Sequence, residues 1–385
     1  MELVRTPPLV GLSMPHARAL RAKGELRFLD FQSAISSSLL ADWIALGQQS
    51  SEPNPFFEAW FAHPSLEQFA DDNDVTLAAY WSGGRLAGVL PLARSSDYYG
   101  HTLPHLKTWL HDFASCGAPL VAKGFEKGFW TALLTHLDQT PGPALLLHLP
   151  ALPETGTTNQ ALEAVLNETQ RPAAIVERKQ HAMLASNLSA EDYLSKAMSA
   201  PKRKALHRQR NSLSELGKLT FERLERTECL DPWIEQFLTL EATGSKGLTG
   251  SALKANKASY AFFADTISGA AQVGKLERLA LRLDGKPIAM LVNFLASPGA
   301  YSFKAAFDED YARFSPDLLL QLENLDLLNR TDIAWTDSCA TIGHSIAKHI
   351  WREKRRLVSR NIAIGGSLRH LTARALMAYE TRERS

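Results

Sequence analysis

The sequence predicts an α/β chain with a mixed sheet, built as two similar halves in tandem. Two stretches carry this reading. W-S-G-G-R-L-A-G-V-L at 81–90 and R-L-D-G-K-P-I-A-M-L at 282–291 are the same β-hairpin written twice: strand, glycine turn, strand. Helical and extended segments also follow one order around both copies. A third observation concerns residues 301–340. A strand (301–307) leads into an acidic-aromatic turn, then Ser315-Pro316 opens an apolar helix (317–329), and a second strand (332–335) follows. A loop entering a helix between two strands gathers unpaired N–H groups and the positive end of the helix dipole, which suits an anion. Ser315 is suited to the N-cap and Pro316 to the first helical position.

The elements follow in order. Residues 1–24, interrupted by Pro7, Pro8 and Pro15, read as a lead-in segment. Alternation at 25–31 predicts a strand, and serines open a helix at 38–46. Residues 54–61 form an aromatic turn and helix, with Phe56, Phe57, Trp60 and Phe61 expected at the surface. The first hairpin (75–81, 85–93) precedes a helix (125–137), a strand (144–149), a helix (158–169) and a bridging strand (174–186). A dense basic run, Lys202 to Arg210, lies in a helix reaching to residue 216. Helices at 231–242 and 258–271 then lead to the second hairpin (276–283, 287–296). The expected organisation is a first half over 25–186, a second over 187–366 and a C-terminal helix over 367–385.

Composition narrows the function classes. With 385 residues, 45% of them hydrophobic, the chain can bury a sizeable core. A net charge of +1 argues against bulk binding to nucleic acid. Three widely spaced cysteines show neither zinc spacing nor a disulfide framework, which predicts a cytoplasmic protein without a metal. No apolar run of membrane-spanning length occurs. The basic run and a second cluster at Arg352, Lys354, Arg355 and Arg356 are candidates for peripheral contact with an anionic membrane.

Candidate chemistry gathers in the second half. Asp337 at a strand end, and His344 in a short loop after it, are candidates for a base or an orienting imidazole–carboxylate pair. Glu241 ends a helix, and Lys246 sits in the Gly-rich loop beyond it, suited to a polar substrate. Cys339 reads as buried packing rather than as a nucleophile.

These residues fall in a recognisable pattern. The run Lys304-Ala305-Ala306-Phe307-Asp308-Glu309-Asp310-Tyr311-Ala312-Arg313-Phe314-Ser315-Pro316 resembles the K-x-A-Y-D-E-x-Y-A-R-x-S-P-G signature of CelD/BcsL-like acetyltransferases. These are FemAB-related tandem GNAT-fold proteins. Leu240 to Gly247 resembles another of their segments, and Asp337-Ser338-Cys339-Ala340 with His344, Trp351 and Arg355-Arg356 a third. The resemblance implies two GNAT-like halves, of which only the second carries a binding turn for acyl-CoA (acetyl-CoA or a long-chain form). That turn is Arg313, Phe314, Ser315, Pro316, Asp317 and Leu318. Asp337, His344 and Glu241 would be catalytic, while Lys246, Lys304, Trp351 and Arg355 would bind the acceptor. The implied activity is N- or O-acyl transfer to an envelope or polysaccharide precursor. Transfer of a long acyl chain to a lipid amine is one alternative, and a non-catalytic scaffold is the other. FemX-like relatives use aminoacyl-tRNA, but the basic run lacks aromatic stacking residues. Asp317 departs from the signature, which has Gly there.

Overall fold

The computed structural model describes residues 24–30, 33, 37–70, 75–244, 250, 252–341 and 349–383. In chain order the first half has β1 (Glu25–Asp30), α1 (Ser37–Gln49), α2 (Ala59–Phe69), β2 (Val75–Ser82), β3 (Arg85–Tyr98), β4 (His101–Thr108) and β5 (Leu120–Val121). It continues with α3 (Glu126–Gln139), β6 (Leu146–Pro153), α4 (Thr157–Glu168) and β7 (Ala173–Leu184). The second half has α5 (Ala190–Ala197), α6 (Ala200–Ser214), β8 (Leu219–Glu225), α7 (Leu230–Thr243), α8 (Lys257–Gln272), β9 (Leu276–Leu283) and β10 (Lys286–Ala296). It ends with β11 (Gly299–Phe307), α9 (Pro316–Glu323), β12 (Trp335–Thr341), β13 (Glu353–Ala363) and α10 (Ser367–Glu383).

All thirteen strands join one sheet, in the order β1-β2-β3-β4-β6-β13-β7-β12-β11-β10-β9-β8, with β5 pairing β3. Read inward from either edge, the two halves repeat. Each runs antiparallel through its first four strands and then makes one parallel pair, β4 with β6 and β11 with β12. The centre breaks the sequence order. β7 closes the first half yet pairs with β12 of the second, while β13 closes the second half and pairs with β6 of the first. β7 and β13 then pair with each other. Each half therefore completes the other's sheet.

The repeated hairpins form where the sequence predicts them, and their two-residue turns explain why. Ser82 faces Arg85 across Gly83 and Gly84, and Leu283 faces Lys286 across Asp284 and Gly285. All four central residues have positive φ (60°, 76°, 49° and 81°), as a twist-matched hairpin turn requires.

The aromatic group at 56–61 differs from expectation. Phe56, Phe57 and Phe61 are buried and Trp60 is only 9% exposed. They are core rather than a lipid-facing surface. Trp60 and Phe61 pack edge-on against Phe294, Phe61 also meets Phe262 and Phe303, and Phe56 meets Tyr301. Aromatic rings of this size gain most by leaving water, and here they join the two halves across one core. The helix expected over 317–329 is α9 alone, tightening into a 3-10 segment at Asn324–Asn329. There Asn324 turns inward to accept a hydrogen bond from Asn293 at 2.7 Å.

Candidate functional site

The parallel pair of the second half is short. β11 and β12 are in register only at Gly299–Trp335, Ala300–Thr336 and Tyr301–Asp337, after which the strands part. The acidic-aromatic turn follows β11 as a 3-10 segment, Glu309–Phe314, and delivers the chain to α9. The first half has a matching pair, β4 with β6 at His105–Leu146, Leu106–Leu147 and Lys107–His148. There the space is taken by the chain itself. Gly117 donates its N–H to the carbonyl of Ala151 at 3.0 Å, and a Cβ at Gly117 would lie 2.0 Å from the carbonyl oxygen of Pro150. Only glycine lets the 109–119 segment approach β6 so closely.

The turn does not match the expected cap. Ser315 adopts the left-handed conformation (φ 52°, ψ 54°) and makes no side-chain cap bond. Its hydroxyl instead accepts a bond from Gln209 of α6 at 3.4 Å, and the same amide donates to the carbonyl of Arg313 at 3.0 Å. Pro316 has no N–H to offer, so the first free donors of α9 belong to Asp317 and Leu318. The Asp317 carboxyl lies at the same helix start. Burial pushes its pKa up, against the pull of those two N–H groups. The anion position thus has the chain's own acid beside it. Arg313 is exposed and stacks over Phe314 (4.7 Å), which is buried, as is Pro316, while Leu318 is half-buried. α6 brings the basic run alongside this turn, with Arg210 placed 4.9 Å from the Phe221 ring and 3.8 Å from Glu323.

At the point where β11 and β12 part lies a buried ionic cluster. Asp337, 1% exposed, accepts from Arg355 (3.0 Å), from the backbone N–H of Cys339 (2.8 Å) and shares a bond with His181 Nδ1 (2.8 Å). Burial pushes its carboxyl up, but the His181 bond and charge, Arg355 and the Cys339 N–H together hold it below the ordinary carboxylate range. Arg355 also lies 4.0 Å from Glu52 of the first half and stacks on Trp335 (4.2 Å) and Tyr301 (5.3 Å). The Glu52 carboxylate, pushed up by burial, accepts from the Thr158 hydroxyl at 2.9 Å. Tyr301 donates to the carbonyl of Pro53 at 2.6 Å. Burial drives the Cys339 thiol well above its ordinary pKa, which disfavours a thiolate there.

The structure joins Asp337 to Arg355, two residues expected in separate roles, and supplies partners absent from the expectation: His181, Glu52 and Tyr301. His181 makes the imidazole–carboxylate pair for which His344 was the candidate; His344 and Lys246 lie outside the described residues. Glu241 is buried and accepts the N–H of Leu253 at 2.9 Å, tying Leu253 to the end of α7. The Lys304 ammonium lies 4.3 Å from the Phe113 ring, at the border of the first half's 109–119 segment. Trp351 is buried in the second core, and its indole N–H meets no acceptor among the described residues. Of the second basic cluster, Arg355 is buried while Arg352, Lys354 and Arg356 remain exposed. Missing His181 has a plain cause. It stands 156 residues from Asp337 and reaches it only through the exchange of β7.

Comparison with known proteins places this geometry. The family profile of the acetyltransferase (GNAT) domain matches residues 200–340. No curated protein sequence matches significantly. The crystal structure of FemX is similar with a TM-score of 0.55 at 10% identity, over 87% of this chain and 98% of that one. A conserved protein of unknown function from Bacteroides thetaiotaomicron gives 0.53 at 13% identity, over 88% and 100%. The C-terminal domain of a putative lysylphosphatidylglycerol synthetase from Agrobacterium fabrum gives 0.52 at 13% identity, over 88% and 96%. The mixed α/β architecture of two similar halves is thus the observed fold class, residues 200–340 match the acetyltransferase (GNAT) domain profile, and the overall fold is similar to that of FemX.

Proposed function

We propose that the protein is an acyltransferase that draws its acyl group from acyl-CoA and passes it to an envelope or polysaccharide precursor, as in the CelD/BcsL-like group. The observation that carries this reading is the early parting of β11 and β12 beside the turn that starts α9, inside the stretch matching the acetyltransferase domain. Parting strands leave backbone donors and acceptors unpaired, and these can bind an extended thioester arm and polarise its carbonyl. The first half, closed by its own Gly117 segment, would serve as a wall of the acceptor side.

A second reading is favoured by Asp317. Its carboxylate lies beside the two N–H groups that a pyrophosphate would use, which supports a GNAT-like scaffold without an acyl donor. Calorimetric titration of acetyl-CoA and palmitoyl-CoA separates the readings. Asp317→Gly should tighten acyl-CoA binding by about ten-fold, because it removes a like charge beside the two donors. Ser315→Glu should weaken it by roughly the same factor. Binding of neither thioester, to the wild type or to Asp317→Gly, would leave the scaffold. A strong preference for palmitoyl-CoA would favour a lipid-amine acceptor instead of a polysaccharide precursor.

A further inference from the structure

A cavity of about 610 Å³ opens at the seam of the two halves, on the side of the ionic cluster where β12 begins. Its floor holds Glu52 and Arg355, Trp335 and Pro153 form walls, and Lys354 and Arg356 stand at its mouth. Charge is unevenly distributed along its depth. At the floor, the Arg355 guanidinium lies 4.0 Å from Glu52 and is committed at 3.0 Å to Asp337 behind it, which His181 also pairs at 2.8 Å. One oxygen of Glu52 is engaged by Thr158, while the other faces Arg355 across the 4.0 Å gap. At the mouth the balance reverses. Lys354 is exposed and has no ion-pair partner among the described residues, and Arg356 meets Glu154 only at 3.9 Å. At the floor Glu52 thus lacks a cation within hydrogen-bond distance, while the mouth presents two exposed cations.

We infer that this cavity binds a small dipolar ligand, a primary ammonium linked to a phosphoryl group, with the ammonium against Glu52 and the phosphoryl group between Lys354 and Arg356. An ammonium would give the buried Glu52 carboxylate the close cation that Arg355, 4.0 Å away, does not supply. A phosphoryl group at the mouth meets two cations in a half-open setting, where charge-assisted hydrogen bonds are strongest for a multiply charged acceptor. The volume suits a small molecule and is too narrow for a folded partner. The ligand's amine would lie next to the Arg355–Asp337 pair, at the last register pair before β11 and β12 part. Naming this occupant the acyl acceptor rests on the acyltransferase reading; its binding does not.

The test therefore uses the full chain without any acyl donor. Calorimetric or NMR titration with O-phosphoethanolamine is compared with ethanolamine and with inorganic phosphate. O-phosphoethanolamine should bind at least about ten-fold more tightly than either single-charge probe, one decade being the gain from a second modest charge contact. Glu52→Gln, which keeps an acceptor for Thr158, should reduce the advantage over phosphate. The Lys354→Ala/Arg356→Ala double variant, altered only at exposed side chains, should reduce the advantage over ethanolamine even if Glu52→Gln folds poorly. No binding of O-phosphoethanolamine at millimolar concentration overturns the inference. So does affinity equal to that of phosphate, or affinity unchanged in the double variant.

Discussion

Replacing Arg355 with methionine removes the buried guanidinium between Asp337 and Glu52 while keeping most of the side chain's volume. At 3.0 Å from Asp337 and an effective dielectric of about 20, the attraction lost is roughly 5–6 kcal/mol, with Glu52 at 4.0 Å adding roughly 4 more. Methionine also escapes the desolvation cost of the guanidinium, so the net loss should be near the 3–5 kcal/mol typical of a broken buried pair. The effect has a definite pH signature. In the wild type the Asp337 carboxyl is held low, so its contribution is present above the unfolded carboxylate pKa and is lost as pH falls through the folded value. Without Arg355 the His181 and Cys339 bonds remain, so the carboxyl is held less far below its unfolded value. Less of the pH-dependent stabilisation then survives. The variant's deficit should accordingly widen as pH rises through the carboxylate range and level off above it. Urea unfolding of both proteins across that range measures it, and Arg355→Met combined with Asp337→Asn should cost less than the sum of the single changes. A deficit under about 1 kcal/mol at pH 7, or one independent of pH, would refute the picture of a mutually compensated cluster.

Two further outcomes follow from the same structure. Gly117→Ala should destabilise the chain by about 2–4 kcal/mol in urea, since its Cβ would lie 2.0 Å from the Pro150 carbonyl and cannot be accommodated without moving β6; a loss below about 0.5 kcal/mol would show that the segment is free to shift. His111, ringed by Phe61, Phe69, Phe113 and Phe262, is pushed down by burial to about 3. The unfolded chain takes up that proton near pH 6.5, so stability is full above this value and falls as pH drops from there towards 3. His111→Leu should flatten this acid slope by up to about 1.4 kcal/mol per pH unit, and an unchanged slope would exclude His111 as its source.

What was legible in the sequence was local. The hairpin turns announce themselves because Gly83, Gly84 and Gly285 are needed for positive φ, and the helices show their apolar faces. β13 was not legible. Its residues 353–356 read as a basic cluster, because Arg355 is an inward position paired with an acid supplied from elsewhere, Asp337; further along, the buried Arg360 is paired with Glu163 of α4. Strands whose inward positions carry charge break the alternation by which strands are found. The ionic cluster was half-visible for the same reason. Asp337 and Arg355 stood out as polar residues in an apolar context, while His181 and Glu52 gain meaning only through pairings over more than a hundred residues. The Ser315 turn shows the opposite failure: residue types suited to a cap adopt another geometry, with Ser315 left-handed and its hydroxyl turned to Gln209.

The crossing of β7 and β13 limits how this molecule can move. In many two-lobed proteins a ligand is grasped when the lobes rotate about a thin linker. Here the lobes are stitched along the middle of a shared sheet, with Glu353–Ile362 of one strand laddered to Ala173–Met183 of the other. Prising the lobes apart would mean tearing a ladder of backbone bonds. Any opening must therefore come from side chains and surface segments, and the central frame stays rigid throughout a binding cycle. The same stitching makes either lobe alone an open-edged fragment, ready to recruit a strand from another copy.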